Sequence, residues 1–521
     1  MSGVPALEFV SRAIESPCSE AVRGDHCWSY GELAGLANAV ARYLKEGGLE
    51  QGDRVAMALS NCPEFLALYL GVQLAGGVVV PLNVLDRART LLRQVEHCGA
   101  RWLFFDDARD EIGREFDAGQ QRPAVAVEAN GEKPGSRAGA DAGSAEWRRI
   151  LSSAGTPTTS SEWPIEPVSL ALILYTSGTT GRPKGVVLSH RNLHANMRSI
   201  LGFLPVERDD RCLVLIPFYH SFGNSLITTH LSMGACLVLQ NHIAFPRKVL
   251  ERIETERVTS LYGVPLTFSL LLGKPVPAGI DVSSLKYMAQ AGGAMYKPQI
   301  RQIRRDVPDI DLYVMYGQTE ATARLTYVPP ELLESKLGSA GKAVPGVALE
   351  VRDLDGNPLP RGSIGEIWVR GDNVMVGYWG DPEGSGTVLH DGWLWTRDRG
   401  YLDEDGFLFI EGRSSDLIKT GANRVSPDEI EEVISQLDGV KEVGVTGMQD
   451  DVLGQAILAA VVPHAGAYIS EKKVKAHCRE FLAPYKIPKK VIVRESLPRT
   501  HSGKVVRSEL TAGNHGVTQN D

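Results

Sequence analysis

The sequence lacks the apolar run of about 18 residues that a membrane-spanning helix needs. Its first residues also lack the basic segment and apolar stretch of a secretory signal peptide. We therefore expect neither a membrane span nor a signal peptide. Seven cysteines are scattered without a CxxC pair, and an odd number cannot all pair within one chain. These absences favour a cytoplasmic protein with reduced thiols.

The chain also lacks an excess of positive charge. Its 55 lysines and arginines are outnumbered by 63 aspartates and glutamates, which gives a formal net charge of −8. This balance argues against general attraction to nucleic acid or to anionic membranes. The 43% of hydrophobic residues can bury ample apolar surface, and 521 residues exceed one ordinary core. We expect a globular protein of two or more domains that binds small molecules or other proteins.

Strand and helix patterns alternate through the first part of the chain. A capping box at Ser29 and Glu32 begins an amphipathic helix, and apolar runs at residues 55–59, 78–80 and 102–105 predict strands separated by helices. Such alternation predicts a largely parallel sheet covered on both faces.

A stretch rich in Gly, Ala, Ser, Thr and Pro follows at residues 130–167. It lacks sustained periodicity, so it predicts a surface connection, held locally by Trp147 and Trp163. Residues 348–352 and 365–370 predict paired strands of a smaller β unit.

After Gly412 the pattern restarts in the order helix, two strands, helix, strand, which is typical of a compact α+β domain. We place the boundary at Arg413. Residues 1–412 would form a large N-terminal domain, and residues 413–521 a small C-terminal domain. The predicted fold class is α/β: a large N-terminal domain of doubly wound mixed sheets plus a small β unit, with a small, mobile α+β C-terminal domain.

The strongest local signal is the loop at residues 175–185, which follows a buried-strand pattern. Its hydroxyls, backbone amides and Lys184 offer donors to phosphate oxygens, while Gly178 and Gly181 permit close approach. The loop does not match GxxxxGK[ST], because glycine follows the lysine and proline precedes it. We predict a phosphate-binding loop that is not the P-loop of kinases and ATPases.

Further motifs give the sequence a specific resemblance to adenylate-forming enzymes, the superfamily of acyl-CoA synthetases, luciferases and peptide-synthetase adenylation domains. The resemblance covers nearly the whole chain. In order, the matching segments are residues 175–185, 217–220, 291–294 and 316–320, Asp398, residues 412–413 and residues 498–504.

The resemblance implies where ATP binds. Tyr316 would stack on adenine, and Asp398 and Arg413 would bond the ribose hydroxyls, which suits a carboxylate acceptor and a guanidinium donor. The implied ATP-binding residues are Thr176, Ser177, Gly178, Thr179, Thr180, Gly181, Lys184, Gly292, Gly293, Ala294, Tyr316, Gly317, Gln318, Thr319, Asp398, Arg413 and Lys504.

The resemblance also assigns catalytic roles. Glu320 would hold Mg²⁺ with help from Thr176, Thr319 would bond the α-phosphate, and Lys504 would bridge the substrate carboxylate and that phosphate. These residue types suit the chemistry independently. Two anions must approach and pyrophosphate must leave, so alignment and charge neutralisation are the main tasks.

The acyl pocket implied by the family comprises Tyr219, His220, Phe222, Ala291, Gly293 and Met315. His220 would line or gate the pocket rather than act as general base, because a carboxylic acid is already ionised at neutral pH. Peptide-synthetase relatives capture a substrate amine with an aspartate near this position. This chain has no acid there, which argues against an α-amino acid.

Gly421 and Ala422 resemble the segment that lines the pantetheine tunnel after the small domain rotates. Two positions depart from the family pattern: Ser415 stands where a charged hinge residue is usual, and Arg397 stands where glycine usually precedes the ribose-binding aspartate.

The predicted function is an AMP-forming acyl-CoA synthetase of fatty or aryl acid metabolism that uses ATP, Mg²⁺ and CoA. A carrier-protein phosphopantetheine ends in the same thiol arm as CoA, so loading an acyl or peptidyl carrier protein is the enzymatic alternative. A nucleotide-binding scaffold without catalysis is the non-enzymatic one, and the presence of Lys184, Glu320, Asp398, Arg413 and Lys504 counts against it.

Overall fold

Two large sheets carry most of the chain in the computed structural model. The residues that it describes are 3–106, 112–113, 116, 124–127, 145–156, 163–176, 184–273, 276–277, 279–413, 418–420, 423–450, 453–482, 484–500 and 505–511.

The first sheet has seven strands in the spatial order β18-β8-β7-β4-β3-β5-β6. Its inner strands run parallel, while β8 pairs antiparallel with β7 and β18 pairs antiparallel with β8. The strands are β3 (Arg54–Ala58), β4 (Val78–Pro81), β5 (Trp102–Asp106), β6 (Ala124–Val127), β7 (Leu170–Thr176), β8 (Lys184–Ser189) and β18 (Gly377–Tyr378).

The second sheet has nine strands in the order β15-β14-β13-β12-β11-β9-β10-β1-β2. The run from β13 to β1 is parallel, and antiparallel strands close both edges. The strands are β1 (Glu20–Arg23), β2 (Cys27–Ser29), β9 (Arg211–Val214), β10 (Cys236–Leu239), β11 (Ser260–Gly263), β12 (Tyr287–Gln290), β13 (Asp311–Tyr316), β14 (Thr326–Val328) and β15 (Lys342–Ala343).

Helices cover both faces of the two sheets and also pack on the C-terminal part of the chain. They are α1 (Pro5–Glu15), α2 (Tyr30–Glu46), α3 (Pro63–Leu74), α4 (Ala88–Cys98), α5 (Ala145–Ser152), α6 (His190–Leu201), α7 (Ser221–Met233), α8 (Pro246–Thr255), α9 (Pro265–Leu272), α10 (Lys297–Asp306), α11 (Pro382–Gly386), α12 (Pro427–Ser435) and α13 (Glu471–Phe481). Short 3₁₀ turns occur at Thr319–Ala321, Pro330–Leu332, Pro484–Lys486 and Arg507–Glu509. Among the helices of these ranges, none is both long and apolar enough to cross a membrane.

Alternation along β3 shows how the layers form. Val55 and Met57 enter the main core with α2, α3 and strands of the second sheet, whereas Ala56 and Ala58 enter a separate core on the opposite face. Successive side chains of a strand point to opposite faces, so a strand that is apolar throughout is buried on both. The doubly wound α/β fold predicted from the sequence is confirmed.

A third, five-stranded sheet and a C-terminal unit complete the fold. The third sheet contains β16 (Ala348–Arg352), β17 (Gly365–Arg370), β19 (Leu389–His390), β20 (Trp393–Leu402) and β21 (Leu408–Arg413). The predicted pairing of β16 with β17 is confirmed.

The C-terminal sheet contains β22 (Ile418–Thr420), β23 (Asn423–Val425), β24 (Val440–Asp450), β25 (Gly454–Pro463) and β26 (Lys490–Val493), and it has its own core with α12 and α13. A large N-terminal and a small C-terminal domain are therefore present. The boundary at Arg413 itself stays a prediction.

The surface connection predicted at residues 130–167 is wrong for part of its length, because α5 lies within it. Trp147 and Ile150, one helical turn apart, are buried against the main core, so a short apolar stripe outweighs the turn-rich composition. Trp163 donates from Nε1 to Asn38 Oδ1 at 3.0 Å, as its predicted anchoring role requires. All seven cysteines are free thiols.

Gly71 sets the distance between α2 and α3. A Cβ at this position would meet the Ala37 carbonyl oxygen at 2.5 Å and Val40 Cβ at 2.7 Å. We expect Gly71→Ala to lower the free energy of unfolding by about 1–3 kcal/mol, because overpacking forces the two helices apart. Gly24→Ala is the control, since a Cβ there meets nothing within 4 Å. Equal stability of the two variants in denaturant unfolding would contradict this packing role.

Candidate functional site

The carboxyl ends of four parallel strands meet at one edge of the nine-stranded sheet. Strands β9, β11, β12 and β13 lie side by side in parallel register. The segments that follow β9, β12 and β13 are the three motifs at residues 217–220, 291–294 and 316–320. Ligands of open α/β sheets bind at this edge, outside the carboxyl ends of the strands. The topology therefore assembles motifs that are far apart in the sequence.

The predicted nucleotide residues Tyr316 and Asp398 are in direct contact. The Tyr316 hydroxyl donates to Asp398 Oδ2 at 2.5 Å, and this bond joins the end of β13 to β20 of the third sheet. Asp398 is buried and lies directly opposite Arg413 in the antiparallel pair of β20 and β21. Cross-strand partners project from the same face of a sheet. Only the backbone of Arg413 is described, and it places that residue beside the carboxylate, as a ribose site needs.

The phosphate loop is closed by a pair of its own predicted residues. Thr176 at the end of β7 lies opposite Lys184 at the start of β8. Ser177, Gly178, Thr179, Thr180 and Gly181 lie outside the described residues. The antiparallel hairpin brings both ends of the loop to one point, so Thr176 and Lys184 belong to the same site.

Tyr378 connects this hairpin to the predicted metal ligand. Strand β18 pairs with β8, with Tyr378 opposite Val186, which places the tyrosine ring beneath the ammonium group of Lys184 at 4.7 Å from Nζ. The Tyr378 hydroxyl donates to Glu320 Oε1 at 2.9 Å. Burial, followed by the negative charge of Glu320, raises the pKa of Tyr378, so the hydroxyl keeps its proton and remains a donor.

The turn that carries Thr319 and Glu320 is tightly folded. A Cβ at Gly317 would lie 1.9 Å from the Ala323 carbonyl oxygen, so only glycine fits there. The backbone N–H of Met375 donates to the Glu320 carbonyl oxygen at 2.9 Å, and the hydroxyls of Thr319 and Ser221 lie 3.2 Å apart. These contacts hold the turn between α7 and the segment that precedes β18.

Glu320 is a suitable oxygen ligand for Mg²⁺. The ion is usually held by one or two carboxylates together with substrate phosphates and water. The described residues contain no group of three acidic, histidine or cysteine side chains that could form an all-protein metal site. A single carboxylate beside a phosphate loop agrees with the chemistry of a nucleotide-bound magnesium ion, and Thr176 can add a hydroxyl.

Aromatic rings line the predicted acyl pocket. Tyr219 and Phe222 are buried, the rings of Tyr219 and His220 pack edge to face at 4.7 Å, and Phe222 packs edge to face with Tyr262 at 6.3 Å. His220 is the N-cap residue of α7, so it lies where the connection from β9 ends and the helix begins.

The opposite side of the pocket follows β12 and β13. Ala291 and Met315 are buried, whereas Gly293 and Ala294 are exposed. Gly292 has φ +85°, a left-handed conformation that favours glycine. The Gln290 side chain donates to the Gly293 carbonyl oxygen at 2.7 Å and fixes the turn. These predicted residues therefore lie at the same edge as Tyr316.

Arg397 has a left-handed backbone, with φ 64°. A residue with a Cβ is strained there, so the glycine that the family resemblance implies at this position would relieve the backbone. The guanidinium donates from Nη2 to Thr387 Oγ1 at 3.3 Å and stacks over Trp395 at 5.7 Å from the ring centre. These contacts offset part of the strain beside Asp398.

Besides the five residues of the phosphate loop, four predicted residues lie outside the described part of the chain: Lys504, Gly421, Ala422 and Ser415. Sequence reasoning assigned no role to Ser221 or Tyr378. Ser221 directly follows the recognised motif at residues 217–220, beside His220, and could have been considered for its hydroxyl. Tyr378 carries no comparable signal, because only the pairing of β18 with β8 brings it to the site.

Removing the Tyr378 hydroxyl tests its contact with Glu320. Tyr378→Phe keeps the ring beneath Lys184 and removes only the hydrogen bond. Partners that orient a metal ligand are typically worth about 10- to 100-fold in metal affinity or activity, so we expect a loss of this size in ATP–pyrophosphate exchange and a higher Mg²⁺ requirement. The control is Tyr43→Phe in α2, a helix that contributes no residue to the site. An unchanged Mg²⁺ dependence in Tyr378→Phe would contradict the role.

Two substitutions of Arg397 separate strain from charge. Arg397→Gly and Arg397→Ala both remove the guanidinium, but only glycine relieves the left-handed backbone. After allowance for the greater freedom of glycine in the unfolded chain, we expect Arg397→Gly to be more stable than Arg397→Ala by about 1 kcal/mol. Thermal and denaturant unfolding measure the difference. If the alanine variant were equally stable, backbone strain at this position would be insignificant.

Comparison with known proteins agrees with this geometry. Residues 9–379 match the family model of the AMP-binding enzyme, and residues 429–504 match that of the AMP-binding enzyme C-terminal domain. The chain is 33% identical over 486 residues to indoleacetate–CoA ligase of Aromatoleum aromaticum, covering 92% of each protein. It is 33% identical over 511 residues to feruloyl-CoA synthase of Amycolatopsis sp, covering 96% of this chain and 97% of that one.

Solved structures give the same result. ATP-bound MatB from Rhodopseudomonas palustris is 30% identical, with a TM-score of 0.87 and coverage of 97% of this chain and 98% of that one. MenE from Bacillus subtilis in complex with the acyl-adenylate intermediate OSB-AMP is 28% identical, with a TM-score of 0.83 and coverage of 98% and 99%. The predicted reaction class, an AMP-forming acid–CoA ligase, is confirmed, and the chain belongs to the AMP-binding enzyme family.

Proposed function

We propose that this enzyme uses ATP to convert a carboxylic acid into an acyl-AMP, with release of pyrophosphate, and then transfers the acyl group to the thiol of CoA. The acid would have an aromatic or extended apolar body. The observation that carries the proposal is that three groups of residues meet around the segments that follow β9 and β13 of the nine-stranded sheet. They are the nucleotide contact of Tyr316 with Asp398, the cluster of Lys184, Tyr378 and Glu320, and the aromatic pocket at Phe222.

Adenylation needs the carboxylate and the α-phosphate to approach despite their like charges. Lys184 supplies a positive charge at the phosphate loop, and Thr319 supplies a hydroxyl beside the α-phosphate. A magnesium ion held by Glu320 and Thr176 would neutralise charge on the phosphate oxygens. The Tyr378 hydroxyl orients Glu320 by a hydrogen bond, and the Tyr378 ring makes a cation–π contact with the Lys184 ammonium, so one side chain positions both charges.

The nucleotide is oriented by the contact between the two sheets. With Asp398 as acceptor from the ribose hydroxyls and Arg413 across the strand pair, the sugar would lie beside Tyr316, whose ring faces the adenine. His220 and Tyr219 line the entrance of the acyl pocket, where they exclude water from the reacting carboxylate. Gly292, Gly293 and Ala294 form the floor between the two ligands.

The acid itself differs among relatives. Their names include indoleacetate, ferulate and long-chain fatty acids, so the shared chemistry does not fix the substrate. CoA is the acceptor named in these relatives, which supports CoA over a carrier protein for the second half-reaction. The free cysteines support the cytoplasm as the setting.

The small domain, which we place at residues 413–521, would serve both half-reactions by rotating. In the described orientation it contacts the large domain near the acyl site: the Tyr296 hydroxyl donates to Glu431 Oε2 at 3.0 Å, and Lys297 Nζ lies 3.8 Å from Glu432 Oε1. Both acidic residues belong to α12. Rotation about Ser415 would break these contacts and present Gly421 and Ala422 to the site.

ATP–pyrophosphate exchange with a panel of aryl and fatty acids tests the first half-reaction. Exchange that depends on the acid supports adenylation, and its absence with every acid would favour a nucleotide-binding scaffold. Adding CoA or a phosphopantetheinylated carrier protein then identifies the acceptor. Thioester formation with the carrier protein alone would overturn the proposal for CoA.

Lys504→Ala should affect adenylation alone. Loss of a cation at developing charge costs on the order of 10²–10³ in rate, and we expect acyl-AMP formation to fall by this factor. Supplied with preformed acyl-AMP and CoA, the variant should make thioester at nearly the normal rate. Lys472→Ala, which changes an exposed lysine of α13, is the matched control.

Gly421→Leu should do the reverse. A leucine side chain would obstruct the thiol path, so thioester formation should fall while pyrophosphate exchange stays near that of the wild type. Stopped-flow or quenched assays of the separate half-reactions measure both rates. If either Lys504→Ala or Gly421→Leu reduced the two half-reactions equally while folded, a single fixed active site would replace the two-orientation model.

A further inference from the structure

Arg324 is a fully buried arginine in the connection between β13 and β14, a few residues after the turn that carries Glu320. Its side chain is 1% exposed. Its carbonyl oxygen accepts hydrogen bonds from the side chains of Asn196 and Asn373, at 3.0 and 3.4 Å, so the backbone is fixed on both sides. The guanidinium therefore has a defined position.

The guanidinium lies against the predicted acyl pocket. Arg324 Cζ is 4.0 Å from the centre of the Phe222 ring. The residues Phe222, Leu226 and His230 recur at helical spacing along α7, and the first and last of them pack edge to face with Tyr262. The Tyr262 hydroxyl lies 2.8 Å from that of Tyr287 and 3.4 Å from His230 Nε2. Beyond Phe222 the pocket region is thus polar.

Two nitrogens of this guanidinium have no hydrogen-bond acceptor within the described residues. Nε and Nη1 of Arg324 are buried and have no hydrogen-bond partner there. Two other cations at the nine-stranded sheet are paired. Arg211 in β9 bonds Glu20 at 2.6 Å and Glu256 at 2.7 Å, and Lys286, directly before β12, bonds the buried carboxylate of Asp210 at 2.9 Å. Arg324 differs from these, because no carboxylate of the described residues pairs with it.

A buried cation without a partner is costly, because burial removes the hydration that stabilises its charge. Burial lowers the pKa of Arg324 to about 9, and the nearby Tyr262 opposes that shift. At neutral pH the group stays positively charged. An incoming anion would supply both the missing charge and the missing acceptors, with Tyr262 as a further donor.

We propose that Arg324 is an anion subsite at the inner end of the acyl pocket, and that the preferred substrate is an acid with a second carboxylate at its far end. The inference rests on the proposed function, since it concerns the acid that is adenylated. One carboxylate reacts at the α-phosphate, and the other accepts hydrogen bonds from Nε and Nη1 of Arg324. The enzyme would form a monothioester of a dicarboxylic acid.

Matched pairs of acids test the subsite. Each dicarboxylic acid from malonate to suberate is compared with its monomethyl ester, and 3-(4-carboxyphenyl)propanoate with 3-(4-methylphenyl)propanoate. Hydrogen bonds to charged groups are worth about 1.5–3 kcal/mol, so for the length that fits we expect kcat/KM for the dicarboxylate to exceed that of its partner by about tenfold to a hundredfold. The same dicarboxylate, without ATP, should raise the melting temperature of the enzyme more than its ester does.

Arg324→Met keeps most of the volume and removes the charge. It should abolish the preference for the dicarboxylate, mainly through KM, and retain or improve exchange with the monocarboxylates. Without substrate it should melt at a temperature equal to or above that of the wild type, because a paired partner is absent in the free enzyme. The control is Arg247→Met, which changes an exposed arginine of α8. Arg324→Lys, which keeps the charge, should retain part of the preference.

The outcomes separate the two proposals. Absence of exchange with any acid would refute the proposed function. Exchange in which the wild type prefers the monocarboxylate of every pair would refute the subsite alone. If Arg324→Met lowered kcat/KM equally for both acids of a pair, Arg324 would have a structural role only, and the subsite would likewise be refuted. If the methionine variant fails to fold, the preference of the wild type and its melting shift decide the question.

Discussion

The parallel register of β9, β11, β12 and β13 is the constraint on which the site depends. Side chains alternate along a strand, so a slip of one residue would move every inward side chain to the opposite face. In β12, Tyr287 and Ala289 enter the core shared by the two large sheets, and Met288 enters the other. Correct register therefore puts Tyr262 and Tyr287 beside the predicted acyl pocket and brings three motifs to one edge of the sheet.

The short strand β18 links the two large sheets at the site, which the parallel strands of one sheet cannot do. It belongs to the first sheet by its pairing with β8, yet its tyrosine bonds a glutamate that follows β13 of the second. The predicted phosphate loop and the predicted metal ligand, Glu320, thus share one side chain across two sheets. Because Lys184 meets the ring and Glu320 meets the hydroxyl, opposite charges are held near each other without forming a direct ion pair that would compete with ATP.

Much of the architecture follows from local sequence. The capping box at Ser29 and Glu32 forms as its spacing predicts, and the alternating pattern identifies both faces of the doubly wound sheets. Motif resemblance brought Tyr316 and Asp398 into one site, and they share a hydrogen bond. Helix α5 was missed because its apolar stripe is short. Tyr378 and Arg324 were missed because their meaning lies in contacts with residues distant in sequence.

Features that are unfavourable for folding recur around the cleft. Arg397 is left-handed beside Asp398, the predicted ribose ligand, and Thr322 and Ala323 are left-handed after Glu320, the predicted metal ligand. Arg324 is buried, and its Nε and Nη1 have no acceptor among the described residues. Strain and unpaired charge persist where the surrounding structure enforces them, and functional sites are where such local conflicts collect. The first three are conformational and shape the cleft. Arg324 differs, because its cost is electrostatic and a substrate anion can remove it, which links the stability of this segment to the identity of the acid.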